Sequence, residues 1–142
     1  SVDPHRDLAA MVASFRPFTS HVVLLPFLEA YGIVADALVT MGSDTVDEAN
    51  LMSSAFDLGR QLVLQRRIRS REAVSKEMFH TGVRLAAHRD LLTGGAQAEE
   101  ARHSHRRVVA SWLRRIAAVD ALEAGRAAGI LEAVEKTVDY SP

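Results

Sequence analysis

Apolar residues return every three or four positions along most of this chain, and that rhythm narrows the open folds more than any other feature. After Pro26, the residues Phe27, Tyr31, Val34, Leu38 and Met41 line one side of a predicted helix that Gly42 ends. Leu51, Ala55, Leu58 and Leu62 make the next row. Thr45 and Glu48 stand before it at capping-box spacing, and the helix is expected to reach about Arg67. Ser70 or Ser75 caps a third helix whose rows Met78, Gly82, Leu85 and Phe79, Val83, Ala86 face inward, until Gly94-Gly95 interrupts the chain. A fourth begins near Gln97, with Val109, Trp112, Ile116 and Val119 inward and Arg102, Arg106, Arg107, Arg114 and Arg115 in other directions. A final short helix is predicted over Ile130 to Thr137.

Sustained period-two alternation is missing, as are the Asn-Gly and Asp-Gly turns of tight hairpins. The expected fold class is therefore all-α, a compact bundle of four to five helices. A length of 142 residues fits one domain with one core. Residues 1–17 read as an amino-terminal extension or short helix, and 18–142 as the helical domain.

Several function classes drop out on composition. The formal net charge is −1, so the chain lacks the general basic field of a nucleic-acid binder, and no nucleic-acid partner is expected. It has no cysteine, which removes disulfides, thiolate metal sites and cysteine nucleophiles. His103 and His105, two apart, point away from each other on a helix and do not share a metal, so no metal or cofactor is expected. The uncharged run from Pro17 to Leu28 is too short to span a bilayer as a helix, and packing under the bundle is its expected role. Phosphate-loop, dinucleotide and nucleophile-elbow patterns are missing. The amino terminus, SVDPHRDLAAM, carries no initiator methionine and no signal peptide, and reads as the start of a fragment of something longer.

The positive charge comes from 15 arginines and 2 lysines. Guanidinium groups match phosphate and carboxylate oxygens with planar paired donors, so a local cluster of them has a chemistry that lysines lack. Arg60 and Arg67, seven apart, share a helix face, and Arg66, Arg69 and Arg71 lie close by. This group suits a phosphorylated ligand, an anionic headgroup or an acidic carrier protein. The alternative is a solvated helix end with cations near its carboxyl terminus. Lys76, His80, Arg84 and His88 recur every four residues and form a basic ridge that either extends the same surface or is a plain exposed face. The candidate anion-binding residues are Arg66, Arg67, Arg69, Arg71 and Lys76.

The stretch GRQLVLQRRIRSREAVSKEMFHTGVRLAAHRDLL, from Gly59 to Leu92, resembles the carboxy-terminal region of bacterial glycerol-3-phosphate acyltransferases. The likeness runs from about Pro26 to Leu122, through PFLEAYGIVADAL and on to VVASWLRRIAAVDAL. It implies a membrane-associated, peripheral enzyme at the cytoplasmic face, which passes a fatty acyl group from acyl-CoA or acyl carrier protein to glycerol 3-phosphate or dihydroxyacetone phosphate. In that family a histidine followed five positions later by an aspartate takes the hydroxyl proton. Here the six histidines are followed at that distance by Ala10, Pro26, Leu85, Thr93, Val108 and Ala110. No catalytic residue carries over. The resemblance thus implies a non-catalytic domain whose partners are its own catalytic domain, the thioester donor or carrier, and a membrane surface.

Overall fold

Helix α1 (Ser20–Thr40) is apolar nearly all the way round, and a helix of that kind belongs in the middle of a bundle. The computed structural model, which describes residues 20–68 and 71–138 with the side chains at 20–23, 127, 130, 131 and 134–138 excepted, puts it there. Around it stand α2 (Glu48–Leu64), a 3-10 turn (Arg71–Ala73), α3 (Lys76–His88) and α4 (Ala98–Val138). These are four α-helices, with no strand among the described residues, so the all-α expectation holds. The amino-terminal extension lies outside the described residues.

The core is divided by α1. On one side, Ala30, Val34 and Leu38 meet Leu51 and Ala55 of α2 and Phe79, Val83 and Ala86 of α3. Phe56 and Phe79 close that cluster edge to face, with ring centroids 4.8 Å apart. On the other side, Leu24, Leu28 and Tyr31 pack against Val109, Trp112 and Ile116 of α4, and Trp112 is a core residue as expected.

Several boundaries differ from the expectation. Helix α1 starts at Ser20 and carries Pro26 inside it. The proline lacks the N–H of one helical hydrogen bond, and the burial of Leu24 and Leu28 on either side offsets that loss. The cap of α2 is Asp47, whose carboxylate accepts the Asn50 N–H at 2.7 Å, while the Thr45 hydroxyl accepts the Gly94 N–H instead. Ser75 caps α3.

Helices α2 and α3 stop by the same device. The N–H of Arg67 reaches the Leu62 carbonyl and that of Arg66 the Val63 carbonyl, with Arg66 at φ 55. The N–H of Leu91 likewise reaches Ala86 and that of Asp90 reaches Ala87, with Asp90 at φ 56. Each is a Schellman motif with a non-glycine residue in the left-handed position. So α2 ends at Leu64, short of Arg67, and α3 ends before the glycine pair. Helix α4 is unbroken to Val138 and absorbs the predicted short last helix. Its inward row ends at Ile116, since Val119 is 40% and Leu122 74% exposed.

Candidate functional site

Arginine 102 was expected to point outward, and the structure reverses this: it is fully buried at the end of the bundle where three segments cross. Its Nε donates to the Leu91 carbonyl at 2.9 Å, Nη1 to Gly42 at 2.6 Å and Nη2 to Asp44 at 2.7 Å. A buried guanidinium demands partners for its donors, and here backbone carbonyls of the α1–α2 and α3–α4 loops supply them. The same loops are tied by Val46 N–H to Leu92 O and Gly95 N–H to Ser43 O, both at 2.9 Å. Gly94 lies in the crossing, where an added Cβ would stand 2.5 Å from the Thr45 nitrogen. Only glycine fits that approach.

One turn along α4, His105 is also buried. Arg89 has no acceptor, so its Nη1 donates to His105 Nδ1 at 3.1 Å and the ring proton sits on Nε2. Burial, and secondarily the Arg89 charge, pull the His105 pKa down to about 4. Arg89 also lies over the Trp112 ring, 5.9 Å from its centroid. The cluster therefore holds a neutral imidazole among cationic and apolar neighbours. It is a packing device, and no group of three metal-ligating side chains exists among the described residues.

The predicted anion-binding residues lie elsewhere. Arg66 and Arg67 are exposed just past α2, Arg71 is exposed in the 3-10 turn, Lys76 is exposed at the start of α3, and Arg69 lies outside the described residues. Because α2 ends at Leu64, the seven-residue spacing does not put Arg60 and Arg67 on one helical face. Arg67 instead acts electrostatically on Asp36 of α1, which also meets Arg106 of α4 at 4.0 Å. Burial raises the Asp36 pKa, and those two arginines oppose the rise.

What the fold brings together is Arg60 with Arg71. They flank a surface groove of about 530 Å³ lined otherwise by Val63, Leu64 and Val74. Val74 forms its floor close against Gly59, where a Cβ would meet Val74 Cγ1 at 3.2 Å. Leu64 is 83% exposed on its wall. Among the described residues, the ion pairs leave Arg66, Arg71 and Lys76 without a carboxylate, and Arg60 has only the exposed Asp57 at 3.8 Å. The basic ridge of α3 is exposed as read, and His80, Arg84 and His88 share a second shallow groove with Glu48. Sequence reading caught the arginines but missed the apolar groove, since Val63 and Leu64 fall off the inward row of α2 and Val74 lies across a turn.

No helix among the described residues is long and apolar enough to cross a membrane. Comparison with known proteins adds the lineage. Residues 2–95 match the family described as glycerol-3-phosphate acyltransferase C-terminal region, so the likeness begins earlier than Pro26 and the stretch from Val108 to Leu122 lies outside the match. Relatives in Mycobacterium bovis and Mycobacterium tuberculosis, both named as candidate acyltransferases, plsB1, are 42% identical over 88 residues. That alignment covers 62% of this chain and 14% of theirs. No solved structure matches. With the matched segment running through α1, α2 and α3 and holding every one of the five predicted arginine and lysine positions, the chain belongs to the glycerol-3-phosphate acyltransferase C-terminal region family.

Proposed function

We propose that this chain is the helical carboxy-terminal domain, residues 18–142 behind a short extension, of a peripheral membrane enzyme. The enzyme moves a fatty acyl group from acyl-CoA or acyl carrier protein to glycerol 3-phosphate in phospholipid synthesis, at the cytoplasmic face. The observation that carries this reading is the family match over residues 2–95. The domain itself is an accessory part: none of its histidines has the aspartate five positions on that the chemistry uses, and the one buried histidine among the described residues, His105, is held neutral by packing. Its task is to seat an anionic component beside a catalytic domain, through Arg66, Arg67, Arg69, Arg71 and Lys76. Exposure of the four described members, and the lack of a carboxylate on Arg66, Arg71 and Lys76 among the described residues, support that assignment.

The test uses the parent enzyme and the 142-residue chain side by side. The chain alone is expected to turn over no thioester. Reversing Arg66 and Arg67 to glutamate in the parent should raise the donor KM about tenfold with kcat little changed, since uniform binding and not the chemical step is weakened. An unchanged donor KM together with unchanged membrane partition removes the anion-seating role, and acyl transfer by the isolated chain removes the accessory reading. A helical interaction module is the second reading, favoured by the exposure of Val119 and Leu122 on α4. Cross-linking in the parent that joins this helix to the catalytic domain would merge the two readings into one.

A further inference from the structure

We propose that the end of α2 is a seat for an anionic lipid bilayer, with Leu64 entering the interface and Arg60, Arg66 and Arg71 holding headgroup phosphates around it. The inference rests on the reading of this domain as part of a membrane-associated enzyme and names the surface through which it sits down.

Charge gives the first argument. Between Gly59 and Arg71 the chain carries five arginines and no acidic residue, within a molecule of net charge −1. Asp57 beside Arg60 and Asp36 near Arg67 offset part of that local field, and what remains decays within about 10 Å at physiological salt, so it acts only on a surface in near contact.

Shape gives the second. Arg60 and Arg71 flank an apolar strip of Val63, Leu64 and Val74, whose most prominent member is 83% exposed, and the exposed Arg66 follows Leu64 by two residues. An exposed apolar side chain flanked by guanidinium groups at the end of a helix matches the layering of a bilayer interface, where acyl chains lie beneath phosphates. Among the described residues, the other exposed large apolar side chains, Val119 and Leu122, have the acidic Asp120 and Glu123 directly beside them in sequence, whereas Leu64 has no acidic residue between Gly59 and Arg71.

Backbone conformation gives the third. Arg66 stands at φ 55 in a helix stop that glycine would occupy with less strain. A side chain held in that position at a stability cost is accounted for when its guanidinium has an external partner.

The experiment is co-sedimentation of the 142-residue chain with vesicles of phosphatidylcholine alone and of phosphatidylcholine with phosphatidylglycerol, at low and high salt, each variant checked for an unchanged unfolding curve. Binding is expected only to the anionic vesicles and is expected to vanish at about 0.5 M salt. Leu64→Ser should weaken it about tenfold and the double variant R66E/R71E by about 25-fold or more, while Arg126→Glu on α4 leaves it in place. Equal binding to neutral vesicles, a Leu64→Ser variant that binds like the parent chain, or loss caused by Arg126→Glu overturns the proposal. So does capture of a soluble acidic acyl carrier protein by the same arginines with vesicles ignored. If vesicle binding fails while the donor KM of the parent enzyme still responds to Arg66 and Arg67, this inference alone falls; if both fail, the reading beneath it falls too.

Discussion

Arg102 and Arg66 are the same residue type about as differently placed as one small bundle allows. Arg102 is fully buried and gives its donors to the carbonyls of Leu91, Gly42 and Asp44. Arg66 is exposed, backbone-strained and without a carboxylate among the described residues. At one end of the molecule arginine holds two loops and a helix together; at the other it is presented outward beside an apolar groove. Arginine content alone therefore says nothing of binding, and what separates the two roles is whether the donors are satisfied from within.

The largest effect that follows concerns Arg102. Replacing it by methionine keeps volume but leaves the carbonyls of Leu91, Gly42 and Asp44 without their donor, and replacing it by lysine supplies three tetrahedral donors where a planar fork is bonded. Either change is expected to destabilise the fold by about 3–5 kcal/mol in chemical denaturation, whereas R66E/R71E should stay within about 0.5 kcal/mol of the parent chain. Similar unfolding midpoints for the two sets would erase the distinction between the two ends.

Acid should open the Arg102 end first. His105, one turn away, has its folded pKa lowered from 6.5 to about 4. A folded state that binds the proton less tightly than the unfolded chain is favoured above the unfolded value and loses that advantage as pH falls through the folded one. The stability linked to His105 is thus complete above about pH 6.5 and is lost towards pH 4, on the order of 3 kcal/mol. His105→Gln keeps an acceptor for Arg89 and cannot titrate, so its unfolding free energy should fall less steeply across that window. Parallel pH profiles for the two proteins would show that burial of the imidazole is not what sets the acid limb.

How much of this was legible beforehand follows from the physics of each element. Four helices could be read because tertiary packing demanded an apolar residue every third or fourth position, and nothing in the sequence contradicted it. The stop of α1 was signalled by Gly42, at φ 58, but the stops of α2 and α3 were not, because Arg66 and Asp90 occupy a conformation usually signalled by glycine, while Gly94 and Gly95 serve the loop crossing. Arg102 was misread by counting only apolar residues along the inward row of α4. Extended backwards from Val109, that row passes through His105 and Arg102 at the same three-and-four spacing, so the signal was present but wore a charge. The arginine cluster was visible as a run, yet its pairing with an apolar groove depends on a turn that brings Val74 over Gly59, and no periodicity encodes that.

The smallest effect is the sharpest test, since it sets the two helix stops against each other. Both Arg66 and Asp90 stand in the left-handed position, which costs an L residue about 1 kcal/mol relative to glycine. Asp90 recovers part of that cost through its carboxylate, which accepts the Thr93 hydroxyl at 2.8 Å. Arg66 has no such compensation among the described residues. Arg66→Gly should therefore stabilise the fold by about 0.5–1 kcal/mol while weakening binding to anionic vesicles about fivefold, and Asp90→Gly should gain little stability and leave vesicle binding alone. A gain in stability from Arg66→Gly without a loss in binding would mean that the strain at the end of α2 serves no partner, and the outward-facing arginines would then be no more than a solvated helix end.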